Sequence, residues 1–110
     1  MVSLDRKKFY EAINQFLSET MEESKAMNQS NVMVDNIMET IADIEKMMTT
    51  TSTNVITLSK KFHTLKNLLL YGDFYYESDL CQDIEIELRK SHKISNVSSM
   101  YTELIDGLKM

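Results

Sequence analysis

Apolar residues recur along this chain with a seven-residue rhythm. With Ile13 at heptad position a, that position holds Ile13, Thr20, Met27, Val34, Ile41, Met48, Val55, Phe62 and Leu69. Position d holds Phe16, Glu23, Ser30, Ile37, Ile44, Thr51, Leu58 and Leu65. All but Thr20, Glu23, Ser30 and Thr51 are apolar, and this is the period of helices packed side by side. Leu17, Met33, Met38, Met47 and Leu68 flank the stripe. They widen it beyond a two-stranded seam, towards a bundle of three or more helices. The pattern predicts an all-α fold with coiled-coil or helical-bundle packing. A long amphipathic helix or helical hairpin covers about 4–71, a connector 72–78, and a C-terminal helix about 79–108, all in one helical domain over 1–110.

The residues that interrupt helices are scarce. Proline is absent, and the only glycines are Gly72 and Gly107. Long helices follow, because these two residue types break them most effectively. Ser3 is placed to cap the first helix, with Asp5 in its first turn. Two polar stretches, 28–31 and 49–54, are candidate breaks. Yet Met27 to Val34 and Met48 to Val55 are each one heptad step, and a loop has no reason to keep phase. The balance favours helix running through both. Gly72 suits the left-handed residue that ends a helix. Asp73 or Ser78 can then cap a helix starting near Asp79. Leu80, Ile84 and Leu88 share a face of it. Ile94, Val97, Met100 or Tyr101, Leu104 and Leu108 continue the pattern, with a short break near Ser95–Asn96.

One helix over 13–69 would be about 85 Å long at ~1.5 Å per residue. Such a rod leaves much of its apolar stripe uncovered, and large uncovered apolar surfaces mark partner sites. The candidate partner interface is therefore Ile13, Phe16, Met27, Val34, Ile37, Ile41, Ile44, Met48, Val55, Leu58, Phe62, Leu65 and Leu69. A break at 49–54 would instead allow an antiparallel bundle and weaken the need for a partner. Tyr71, Phe74, Tyr75 and Tyr76 form a second candidate. They are either an aromatic anchor for a partner or a plug packing the last helix on the first. Among the polar stripe positions, Ser30 and Thr51 read as loop markers. Met21, Met27, Met33, Met38, Met47 and Met48 read as core filling ahead of an adaptable binding surface.

Charge changes this picture little. The formal net charge is -5, from 17 acidic and 12 basic residues, whereas nucleic-acid binders carry a basic face. Asp73, Glu77, Asp79, Asp83, Glu85 and Glu87 make an acidic run; Lys60, Lys61, His63 and Lys66 make a short basic one. Most of these read as solvated; the functional reading is docking of the last helix on the basic stretch or on a partner.

The catalytic inventory is thin. His63 and His92 lack a paired acid at metal-ligand spacing. The single cysteine, Cys81, sits among carboxylates that would raise its pKa rather than activate it. No phosphate loop, zinc motif or calcium loop is present. The expectation is no enzyme, no catalytic residue, no cofactor, no metal, no small-molecule substrate and no nucleic acid. The N-terminus lacks a signal-peptide pattern and no run approaches the ~20 apolar residues of a membrane span. An intracellular location, cytoplasmic or nuclear, and no integral membrane segment are expected. The two glycosylation sequons, at Asn28 and Asn96, then read as chance matches.

The leading functional expectation is a structural subunit of a multi-protein assembly, packing its stripe on other helical subunits or on itself. A small adaptor or chaperone holding a partner's amphipathic segment is the alternative. A weaker one is a membrane-surface binder using Arg6, Lys7 and Lys8 beside Phe9 and Tyr10. In size and composition the chain resembles the small helical subunits of cytoskeletal and kinetochore assemblies. No motif is shared, so the resemblance implies no role for any residue.

Overall fold

Helix accounts for most of the chain, as the missing proline and scarce glycine require. The computed structural model describes residues 4–50 and 53–109. Among them lie α1 (Arg6–Ser18), α2 (Glu23–Met48), α3 (Val55–Leu70), α4 (Tyr75–Ser91), a 3₁₀ turn (Ile94–Val97) and α5 (Ser98–Leu108). The fold is all-α, with helices packed on one another.

Polar contacts between helices show how they pair. On α1 and α2, Arg6 meets Asp35 at 2.6 Å and the Ser30 hydroxyl meets Asn14 at 3.1 Å. Lys61 of α3 reaches Asp43 of α2 at 3.1 Å. His63 of α3 lies 3.0 Å from Glu85 of α4, and the Ser78 hydroxyl donates to the Lys66 carbonyl. Tyr76 of α4 hydrogen-bonds Glu103 of α5. Between α1 and α2, and between α3 and α4, the later residue counts backwards, so each of these pairs is antiparallel. The 26-residue α2 is the spine. Its N-terminal half carries α1 and its C-terminal half carries α3. This leaves α1 beside the α3–α4 turn, where Phe9 packs on Phe74 and Phe16 on Tyr71.

The molecule measures 44 × 24 × 21 Å. A single 85 Å helix is therefore ruled out: the heptad region is three helices. The chain does turn within 49–54, where Thr49, Thr50, Thr53 and Asn54 are outside helix; Thr51 falls outside the described residues. The physical reason is local. The hydroxyls of Thr49, Thr50 and Thr53 donate to the carbonyls of Glu45, Lys46 and Met47, closing the end of α2. Asn54 accepts from the amides of Ile56 and Thr57, opening α3. Side chains that bond nearby backbone stop a helix in this way.

A second break, at 19–22, was not expected from the heptad. Its stripe position is Thr20, whose amide and hydroxyl both bond the Leu17 carbonyl, while Glu23 opens α2 exposed. By contrast 28–31 stays helical. Ser30 is buried in α2 because its hydroxyl donates to the Ala26 carbonyl at 2.6 Å and meets Asn14. A polar stripe position thus marked a loop at Thr20 and a satisfied core site at Ser30.

The ends differ in detail too. Asp5, accepting from the Lys7 amide at 2.9 Å, caps α1; the expected cap Ser3 lies outside the described residues. α4 starts at Tyr75, not near Asp79, with no side-chain cap, and Ser78 is buried inside it. The break expected near Ser95–Asn96 is the 3₁₀ turn. At the end of α3 the left-handed residue is Asp73 (φ 60°), and Gly72 keeps a negative-φ backbone. The amide of Phe74 bonds the Leu69 carbonyl and that of Asp73 the Leu70 carbonyl, the double closure of a Schellman motif. Gly72 is needed for another reason: a Cβ there would lie 2.6 Å from the Phe74 ring.

Candidate functional site

The heptad residues mostly face inwards. Ile13, Val34, Ile37, Ile41, Ile44, Leu58, Phe62, Leu65 and Leu69 are buried, and Met48 and Val55 are half-buried against the same core. They pack on one another and on Ile84, Leu88 and Leu104 of the later helices. Two stripe residues escape, Phe16 and Met27, exposed at 39% and 44%. Phe16 sits at the end of α1 where the spine turns away, and Met27 on the outer side of α2. Of the other methionines in the cluster, Met33 is buried, Met38, Met47 and Met48 pack against the core, and Met21 is exposed.

The aromatic group divides likewise. Phe74 is a plug: its ring lies 5.3 Å from Phe9 between centroids, with the Lys8 ammonium 5.7 Å from its centre. Tyr71 is half outside, meeting Phe16 edge-on at 5.6 Å. Tyr75 and Tyr76 are largely exposed, their hydroxyls held by Asp73 and Glu103. Each carboxylate, by accepting that hydrogen bond, raises the pKa of its tyrosine. The anchor and plug readings of this group therefore fall on different residues.

Phe16, Asn67, Leu70 and Tyr71 line an open depression of about 360 Å³ between the ends of α1 and α3. Leu70 is 37% exposed, so three large apolar side chains meet solvent around one hollow. An adjoining hollow of about 290 Å³ shares Phe16 and is lined also by Ala12, Gln15, Glu19, Gly72 and Asp73. No lysine, arginine or histidine lines either one. Sequence reasoning placed Phe16 and Tyr71 among the candidate interface residues and Asp73 in the acidic run, but missed Leu70 and Glu19. Nothing in the heptad links positions so far apart; the α1–α2 turn brings them together.

Groups that could carry chemistry are scattered. His63 pairs with Glu85, whose other oxygen meets Arg89 at 3.2 Å. His92 is exposed at the end of α4 in a left-handed backbone (φ 56°). Cys81 is fully buried, and its pKa is pushed up to about 12, first by burial and then by Glu77, against an opposing effect of Lys66. Burial, more than the neighbouring carboxylates, holds the thiol protonated. Tyr101 packs edge-on to Phe62, its pKa raised to about 12 by burial and then by Glu45. Its buried hydroxyl has no hydrogen-bond partner among the described residues. Among those residues, no group of three histidine, cysteine or acidic side chains could hold a metal ion. Among the described residues, no helix is long and apolar enough to cross a membrane.

Comparison with protein-family models, with curated proteins and with solved structures finds no match. The geometry of the chain alone informs its function.

The basic N-terminal stretch is engaged internally. Arg6 pairs with Asp35, Lys7 lies 3.9 Å from Glu11, and Phe9 is buried. The apolar side chain that a membrane-surface helix would insert is part of the core. Of the basic and acidic runs, only His63 and Glu85 meet; Lys61 turns to Asp43 instead.

Proposed function

We propose that this chain is a non-enzymatic protein-interaction module. In this reading it is a closed helical bundle that receives a helical segment of another protein at the hollow formed by Phe16, Leu70 and Tyr71. One observation carries the reading: these three apolar side chains, drawn from two helices, surround a single open hollow and remain in water. Tyrosine is enriched among interface hot spots, and an amphipathic helix docks by laying its apolar face into a hydrophobic groove.

The observation favours the adaptor form over an open coiled-coil subunit. A subunit packing its Ile13–Leu69 stripe on partner helices would first have to open its own core, because most of that stripe is covered. Opening would expose about twenty buried apolar side chains, each contributing on the order of 1.5–3 kcal/mol when buried.

Light scattering and thermal melting of the isolated chain test the form: the adaptor is a monomer with one cooperative transition. A neutral amphipathic peptide of leucine and glutamine, titrated into the labelled chain, tests the site by nuclear magnetic resonance. Shifts centred on Phe16, Leu70 and Tyr71 are expected. Shifts centred elsewhere, or a chain that is molten and aggregated alone, would overturn the proposal.

A further inference from the structure

The hollow between α1 and α3 is electrically one-sided. Glu19 and Asp73 line its second half, and no base lines either half. Glu19 forms no ion pair among the described residues, and the Asp73 carboxylate accepts only from the Tyr75 hydroxyl. A second source of negative potential acts independently. Both α1 and α3 end here, at Ser18 and Leu70, and neither has a basic residue in its last turn. A helix C-terminus carries a partial negative charge that lysine or arginine normally meets; here capping amides already reach the carbonyls of Leu17, Leu68, Leu69 and Leu70, so only the residual dipole is unmet. Two exposed carboxylates and two helix ends therefore border an apolar hollow that no base lines; the Lys8 ammonium beside them is stacked over the Phe74 ring. By contrast α4, which ends elsewhere, has Arg89 and Lys90 in its last turn.

We propose that the hollow selects a basic amphipathic helix of a second protein, one carrying an aliphatic anchor with a lysine or arginine about one turn away. The anchor enters among Phe16, Leu70 and Tyr71. The cation lies against Glu19 and Asp73, near the ends of α1 and α3. The inference rests on the interaction-module reading above and adds the charge of the partner. A helix supplies both groups on one face, since residues three and four apart are neighbours there. A second copy of this chain fits poorly, because two molecules each carrying charge -5 would bring like charges together. Asp73 itself stands at a left-handed position where glycine is the easier residue.

Two synthetic helical peptides test this, identical but for lysine or glutamate one turn from a leucine anchor. Each is titrated into the full chain at low salt, with the Leu70 methyl and Tyr71 ring signals as readout. Both should shift these signals, the lysine peptide binding about tenfold tighter, as two exposed charges and two helix ends allow. The preference should shrink in high salt. It should also shrink in the double variant Glu19→Gln with Asp73→Asn, since asparagine tolerates the left-handed backbone. Salt dependence of the unmodified chain gives the same answer if the variant folds poorly. Equal binding of both peptides overturns the charge inference and leaves the module reading standing. Self-association that Phe16→Ala abolishes, with neither peptide bound, makes a second copy the occupant and overturns it also. A monomer whose Leu70 and Tyr71 signals never move overturns both.

Discussion

Two backbone positions show how a single residue's chemistry is decided by its neighbours. Gly72 is glycine for space, with Phe74 pressed against it, while Asp73 and His92 carry the left-handed turns that glycine would serve more easily. Gly72→Ala is expected to lower stability by about 1–3 kcal/mol, the cost of overpacking, read as a lower melting temperature. His92→Gly should be neutral or raise stability by up to ~1 kcal/mol, because it relieves the strained backbone. The same melting experiment checks it. Cys81 gives a pH dependence. Its folded pKa of about 12 lies above its ordinary value of 9.0. The unfolded chain therefore loses that proton first as pH rises. Stability is full below pH 9 and falls towards pH 12, by at most ~1.4 kcal/mol per pH unit for this group. Denaturant titrations from pH 8 to 11 should show the fall; Cys81→Ala should remove the part that begins near pH 9 and leave the part above pH 10 to which Tyr101, also raised to about 12, contributes. A thiol reagent should react only as fast as the bundle opens.

At the scale of elements, the stop signals were local and the packing signals were not. The helix-ending work at 49–54 falls to side chains that bond backbone within a few residues, so it was visible as a run of threonine and asparagine. Asn54→Ala should cost about 1 kcal/mol, a typical loss for a removed cap. A loss well below that, measured by chemical denaturation, would mean that water replaces the cap. The turn at 19–22 was harder to see. Thr20 and Glu23 break the stripe there, but Ser30 breaks it equally and is buried with two partners. Whether a buried hydroxyl is satisfied depends on Asn14, a residue of another helix. The heptad phase carried across both turns because each helix independently turns one apolar face inwards. Phase therefore records that every segment is amphipathic, and says nothing about whether the segments are continuous.

The whole molecule reverses the meaning of the stripe. Its apolar side chains are hidden by other helices, but those helices belong to the same chain. Ile44→Asp would place a charge at a site 1% exposed. The bundle should then unfold outright, with loss of helical circular dichroism, and not merely release a partner. Phe16→Ala, at a half-exposed site, should cost less than about 1 kcal/mol and leave the monomer folded. That contrast separates core from surface in one experiment.

The sequence by itself determined the helical class and the apolar face of each segment, and it marked 49–54 as a candidate break although the heptad phase argued for helix through it. These depend on propensity, periodicity and bonding within a few residues, which a linear reading captures. Tertiary structure alone decided that three helices replace one rod. It also decided that Phe74 and Tyr71 take different roles, and that Phe16, Leu70, Glu19 and Asp73 share a hollow. Those outcomes depend on which helix faces meet after the chain turns, and a repeating pattern is the same whether its partner is another molecule or itself.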